Sequence, residues 1–150
     1  MTNKDLVRLF FKSGYYDNNY EETLKILAED YYDHSPAVSR SNTSAIYILK
    51  IVQDCFPDMR VAILDLIEEN NKVACRLSFT ATHTKEYMGI APTGKQISWE
   101  AIEIFKIQDG KISESWGYWP DEQIYASLKK AQNDVAMDII KMHGNQEKAI

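Results

Sequence analysis

The chain has 150 residues, 22 acidic against 17 basic, for a formal charge of −5. That balance offers no basic cluster to displace counterions from a polyanion, so no nucleic-acid partner is expected. With 45% hydrophobic residues and only six Gly and four Pro, it has the composition of one globular domain. Such a chain buries roughly two-thirds of its unfolded surface and needs no disulfide or metal to fold.

The start, Met1 to Asp5, is polar, and the apolar run Leu6 to Phe11 is broken by Arg8. No targeting leader is expected there, and no stretch approaches the ~20 apolar residues of a membrane span. Thr2 predicts a helix cap, with Leu6, Leu9 and Phe10 on one face. A second helix is predicted from about Tyr20, capped by Asn18 or Asn19 and turning Leu24, Leu27 and Ala28 inward. Segment 29–40 reads as a connector. Ser41 or Asn42 then opens a third helix to about Phe56, with Ala45, Ile48, Leu49 and Val52 in the three-and-four rhythm.

From Met59 the period changes to two. Strands are predicted over 59–68, 72–84, 95–108 and 111–119. Asp109-Gly110 is the strongest hairpin signal, because a two-residue type I′ turn needs positive φ at both positions. Helices are predicted over 121–130 and 133–143. Helices first and then an antiparallel meander make an α+β domain. Cys55 and Cys75 form no Cys-x-x-Cys and read as reduced, partly buried thiols of a cytoplasmic protein, with a disulfide between them the less supported alternative.

The turn predicts a register in which Ile107 faces Ile112, Phe105 faces Glu114, Glu103 faces Trp116 and Ala101 faces Tyr118. One face then carries Trp99, Ala101, Glu103, Phe105, Ile107, Ile112, Glu114, Trp116 and Tyr118. Glu103 is the unusual residue on this face. A carboxylate among Ala101, Phe105 and Trp116 is desolvated, which raises its pKa toward the range of a general acid or base. The alternative is an ordinary ion pair, with Arg76 as the partner. Asp121 is either a helix N-cap or a carboxylate at a pocket rim. His34, His83 and His143 lack metal-ligand spacing, so no metal site is expected. Ser127-Leu128-Lys129-Lys130 matches Ser-x-x-Lys without its companion motifs. Nucleotide-binding loops and Gly-x-Ser-x-Gly are absent.

An ordered series of segments carries a family resemblance. It comprises Asp33-His34-Ser35, Phe56-Pro57-Asp58-Met59-Arg60, Val73-Ala74-Cys75-Arg76, Thr82 to Gly94, Ile102-Glu103-Ile104-Phe105-Lys106 and Asp109 to Trp116. Over about residues 5–128 the chain resembles the SnoaL-like polyketide (ester) cyclases of the nuclear transport factor 2-like superfamily. The resemblance implies a cone-shaped, curved antiparallel sheet wrapped around the N-terminal helices. It places that domain at 1–130, with a C-terminal helical extension at 131–150. It implies a homodimer packed through the sheet and a cofactor-free, metal-free aldol or isomerase-type reaction on a small apolar carbonyl compound.

By the same resemblance Asp121 is the proton acceptor and donor, assisted by Glu103 or His34. His83, Trp99, Trp116, Tyr118 and Met88 are expected to line the substrate pocket. The chain departs from the family pattern at Asp121, five residues after Trp116 instead of four, at Ser115 in place of a His, and at Lys85. The competing expectations are a non-catalytic dimer that binds a small ligand, or a hydratase or dehydratase.

Overall fold

The structure is a computed structural model and describes residues 1–36 and 38–148. Helix α1 (Asn3–Phe11) starts at a reciprocal cap. The Thr2 hydroxyl accepts from the Asp5 N–H, and the Asp5 carboxylate accepts from the Thr2 N–H, each at 3.1 Å. Its apolar stripe buries Leu6, Val7, Phe10 and Phe11. The helix then widens into one π-helical turn, Lys12–Tyr16. Helix α2 (Tyr20–Ile26) is capped by Asn19, and α3 (Asn42–Cys55) by the Ser41 hydroxyl, which accepts from the Ser44 N–H.

Five strands follow a mixed topology: β1 (Leu27–Asp33), β2 (Arg60–Glu69), β3 (Lys72–Thr82), β4 (Gln96–Gln108) and β5 (Lys111–Tyr118). The sheet is curved and unclosed, in the order β1-β5-β4-β3-β2, with β1 parallel to β5 and the other pairs antiparallel. Two expectations are corrected here. Leu27 and Ala28 belong to a strand instead of the second helix, and part of the predicted connector is that strand. The parallel β1–β5 pair makes the expected curved antiparallel sheet a mixed one at that edge. Thr23 and Ile26 are the buried positions of α2, so its short apolar stripe ends just before Leu27.

The four meander strands lie within two residues of their predicted bounds. Asp109 and Gly110 have φ of 52° and 74°, as the predicted turn requires. The register beyond that turn is different. Ile107 does face Ile112, but a β-bulge at Ser113 then pairs Lys106 with Glu114, Phe105 with Ser115 and Glu103 with Gly117. One extra residue moves every later side chain to the opposite face. Ser115 and Gly117 therefore join the inner face, and Glu114, Trp116 and Tyr118 turn outward.

The core sits on the inner face of the sheet. Val73, Cys75, Leu77, Phe79 and Ala81 of β3 and Ile97, Trp99, Ala101, Phe105 and Ile107 of β4 pack under α1, Phe56 and Met59. Phe105 lies 5.3 Å from Phe10 and 5.7 Å from Phe11, ring centre to ring centre. Arg76 pairs with Asp65 and Glu100 on the outer face, so it is not the partner of Glu103. Cys55 and Cys75 are buried free thiols.

Helix α4 (Asp121–Lys148) is continuous where two helices were expected, because nothing between residues 130 and 133 breaks it. It buries Ile124, Leu128 and Ala131, then runs on with Ile139 and Met142 exposed. Residues 149–150 of the expected extension lie outside the described residues. Among the described residues no helix is long and apolar enough to cross a membrane.

Candidate active site

Pairing β3 with β4 sets Cys75 beside Glu103 and Phe79 beside Trp99, and all four point to the inner face. Glu103 is half-buried, with its Oε2 shielded from solvent and without a hydrogen-bond partner. Burial pushes its pKa up to about 8, the Asp33 charge adds to the rise, and the Trp119 indole beside it opposes it.

His83 follows β3 and is fully buried. The loop folds back over it: the Gly94 N–H donates to the His83 carbonyl and the His83 N–H to the Lys95 carbonyl. The Thr93 N–H donates to Nδ1 at 3.2 Å. With Nδ1 accepting, the ring hydrogen of the neutral imidazole belongs on Nε2. That Nε2 is buried and unpartnered. Desolvation lowers the His83 pKa, which keeps the ring neutral. The Trp99 indole nitrogen, a donor only, is likewise buried and unpartnered.

Among the described residues four buried side-chain polar atoms lack a partner. Three are His83 Nε2, Trp99 Nε1 and Glu103 Oε2, and the fourth is the Ser39 hydroxyl. Native interiors leave few such atoms. Trp99 stands four residues from Glu103 along β4, and His83 lies farther along the ladder, opposite Lys95. Aromatic rings connect them. Phe56 lies 6.0 Å from His83 and 5.8 Å from Trp99, and Trp119 lies 5.4 Å from Trp99 and 4.7 Å from Phe79.

Tyr15, on the π-helical turn, sits 6.0 Å from Phe79. Its hydroxyl is held protonated by burial first and by the Glu103 charge second. Behind Glu103, the Ser115 hydroxyl contacts the Tyr31 hydroxyl and lies 3.4 Å from Asp33, whose carboxylate also accepts from Ser35. The arrangement is one ionisable acid with neutral N–H and O–H donors in aromatic surroundings. It can hold or move a proton and steady a negative oxygen.

The SnoaL-like polyketide cyclase family model matches residues 5–128. The chain belongs to the SnoaL-like polyketide cyclase family. Solved structures agree with the fold. AclR, a candidate hydroxylase from Streptomyces galilaeus, is 26% identical, with 85% of this chain and 96% of that one covered and a TM-score of 0.75. IdmH, a candidate polyketide cyclase from Streptomyces antibioticus, is 23% identical, with 86% and 99% covered and a TM-score of 0.77. A candidate SnoaL-like polyketide cyclase from Jannaschia is 15% identical over 84% and 90%, with a TM-score of 0.78. No curated protein sequence is a significant match.

The SnoaL-like motif residues divide between two faces. Glu103, His83 and Trp99 share the inner one. His34 and Trp116 lie together on the outer one, their rings stacked at 4.8 Å, with His34 Nε2 held by Glu114 at 2.9 Å. Tyr118 is 65% exposed, so the bulge carries it away from the site. Met88 stands at an exposed turn with φ of 52°. Asp121 is exposed in the first turn of α4, and its charge reaches the Tyr87 hydroxyl. Tyr87 in turn packs on Phe56.

An open cleft of about 580 Å³ lies elsewhere, between β1 and the β4–β5 hairpin. Glu29, Asp30, His34 and Glu114 are among its lining residues, and Glu103 is not. Among the described residues no three His, Cys, Asp or Glu side chains are placed to hold a metal ion. Sequence reasoning missed Tyr15 and Asp33 as neighbours of Glu103. The Tyr15 signal is a π turn invisible in periodicity, and Asp33 is recognisable only in the motif Asp33-His34-Ser35.

Proposed function

We propose that the inner face houses acid/base chemistry on a small apolar carbonyl compound, of the cyclase or isomerase type. Glu103 takes the proton from a carbon beside a carbonyl. The C–H electron pair becomes an enolate, and the Trp99 Nε1–H and the Tyr15 hydroxyl are the donors available to its oxygen. In ring closure the enolate carbon attacks a second carbonyl, and Glu103 returns the proton to the new alkoxide. In isomerisation Glu103 returns the proton to a different carbon. The base and donors resemble the ketosteroid isomerase pattern, with buried donors and a nearby carboxylate.

The observation that carries this reading is the Glu103 carboxyl oxygen, shielded from solvent and unpartnered on the aromatic inner face. The family match and the likeness to IdmH support it at the level of chemistry class. Asp121 then stands exposed near Tyr87 instead of serving as the base. The exposed apolar residues Ile67 and Ile102 of the outer sheet face support a homodimer packed there.

The test is α-proton exchange of 2-tetralone in D₂O, followed by NMR. Glu103 must be ionised to accept a proton, so the catalysed rate should rise with pH and level off above about 8. Asp121→Asn should keep most of this rate. A rate flat across pH 6–9 would overturn the assignment of Glu103. Saturable 2-tetralone binding with no exchange would make the protein a ligand carrier instead.

A further inference from the structure

Gly117 stands in the middle of the β4–β5 ladder, directly paired with Glu103. Glycine is a poor strand residue, because it gives up the most backbone freedom and packs nothing. Its φ lies outside the left-handed region, so the backbone does not demand it. Space does. A Cβ built on Gly117 would stand 2.9 Å from Glu103 Oε1, 3.5 Å from its Cγ and 3.7 Å from its Cδ. These are its three nearest heavy atoms, so the Glu103 side chain lies across the bare backbone of β5. The register that brings the two together exists only because of the Ser113 bulge.

We propose that Gly117 is a positioning residue: its missing side chain lets the Glu103 carboxyl rest on β5 and so fixes the direction the acid faces. This rests on the reading of Glu103 as the proton acceptor. The groups around that carboxyl are Asp33 and Tyr31 from β1, Tyr15 from the π turn, Cys75 from β3 and Trp119 after β5. A shift of the carboxyl changes its distance to each of them.

The test is Gly117→Ala. Only the end of a flexible side chain stands in the way of the methyl group, and alanine suits an extended strand better than glycine. The variant should therefore melt at or above the wild-type temperature. Its kcat for 2-tetralone exchange should fall ~10²-fold, the scale of a misplaced catalytic group. The Glu103 carboxyl resonance, assigned with Glu103→Gln, should titrate at a displaced midpoint. An unchanged Glu103 titration in Gly117→Ala would overturn the proposal. If Gly117→Ala fails to fold, Glu103→Ala with Gly117→Ala decides. A folded double variant supports the steric assignment, and an unfolded one overturns it. The underlying reading fails separately, if Glu103→Gln alone keeps wild-type exchange.

Discussion

Glu103→Gln is expected to lose ~10²–10⁴-fold in exchange rate, the usual contribution of a general base, and to melt higher than the wild type at pH 9. The two effects share one cause. The carboxyl titrates near its ordinary 4.5 in the unfolded chain and about 8 in the folded one. Between those values the folded state binds the extra proton at Glu103, so this group's contribution to stability falls as pH rises from about 4.5 to about 8 and then levels. At roughly 1.4 kcal/mol per pKa unit, the full loss is of the order of a few kcal/mol. Glutamine fills nearly the same volume and does not ionise, so this slope should vanish. Thermal melts of both proteins across pH 4–9 check it. Parallel curves, or a Gln variant less stable at pH 9, would count against a desolvated acid.

Phe105→Ala is expected to cost ~3–5 kcal/mol, the range for removing a buried aromatic side chain. Phe105 is 1% exposed and joins β4 to Phe10 and Phe11 of α1. A loss of this size is a large share of the ~5–15 kcal/mol of a typical domain. Urea unfolding should show a much lower midpoint with a similar slope. A loss under about 1 kcal/mol would mean that α1 contributes little to the fold.

Much of this architecture was legible in the sequence. The alternation Val73-Cys75-Leu77-Phe79 and the Asp109-Gly110 turn predict β3, β4 and β5, and the family resemblance supplies the curvature. Strand β1 was not legible. Its seven residues include Glu29, Asp30 and Asp33, and its pairing to β5 breaks between Leu27 and Tyr32. An edge strand with interrupted pairing has no alternation to detect. The Ser113 bulge was hidden for a different reason: a turn dipeptide sets the register only of the pairs beside it. That single residue separates His34, Trp116 and Tyr118 from Glu103.

Glu103 itself was found from its apolar neighbours on β4, which do not depend on the β5 register. Strand parity also places Arg76 on the other face, since its neighbour Cys75 pairs with Glu103. The burial of His83 depends on loop residues 93–95 folding over its backbone, a tertiary event that leaves no trace in local pattern.

The proposed chemistry requires an ionisable acid held away from water between the sheet and its helices. Direct NMR titration of the Glu103 carboxyl carbon in the intact protein measures this. A midpoint near 8 is the predicted result. A midpoint between 4 and 5 would place the group in ordinary solvent and contradict the acid/base reading of the site.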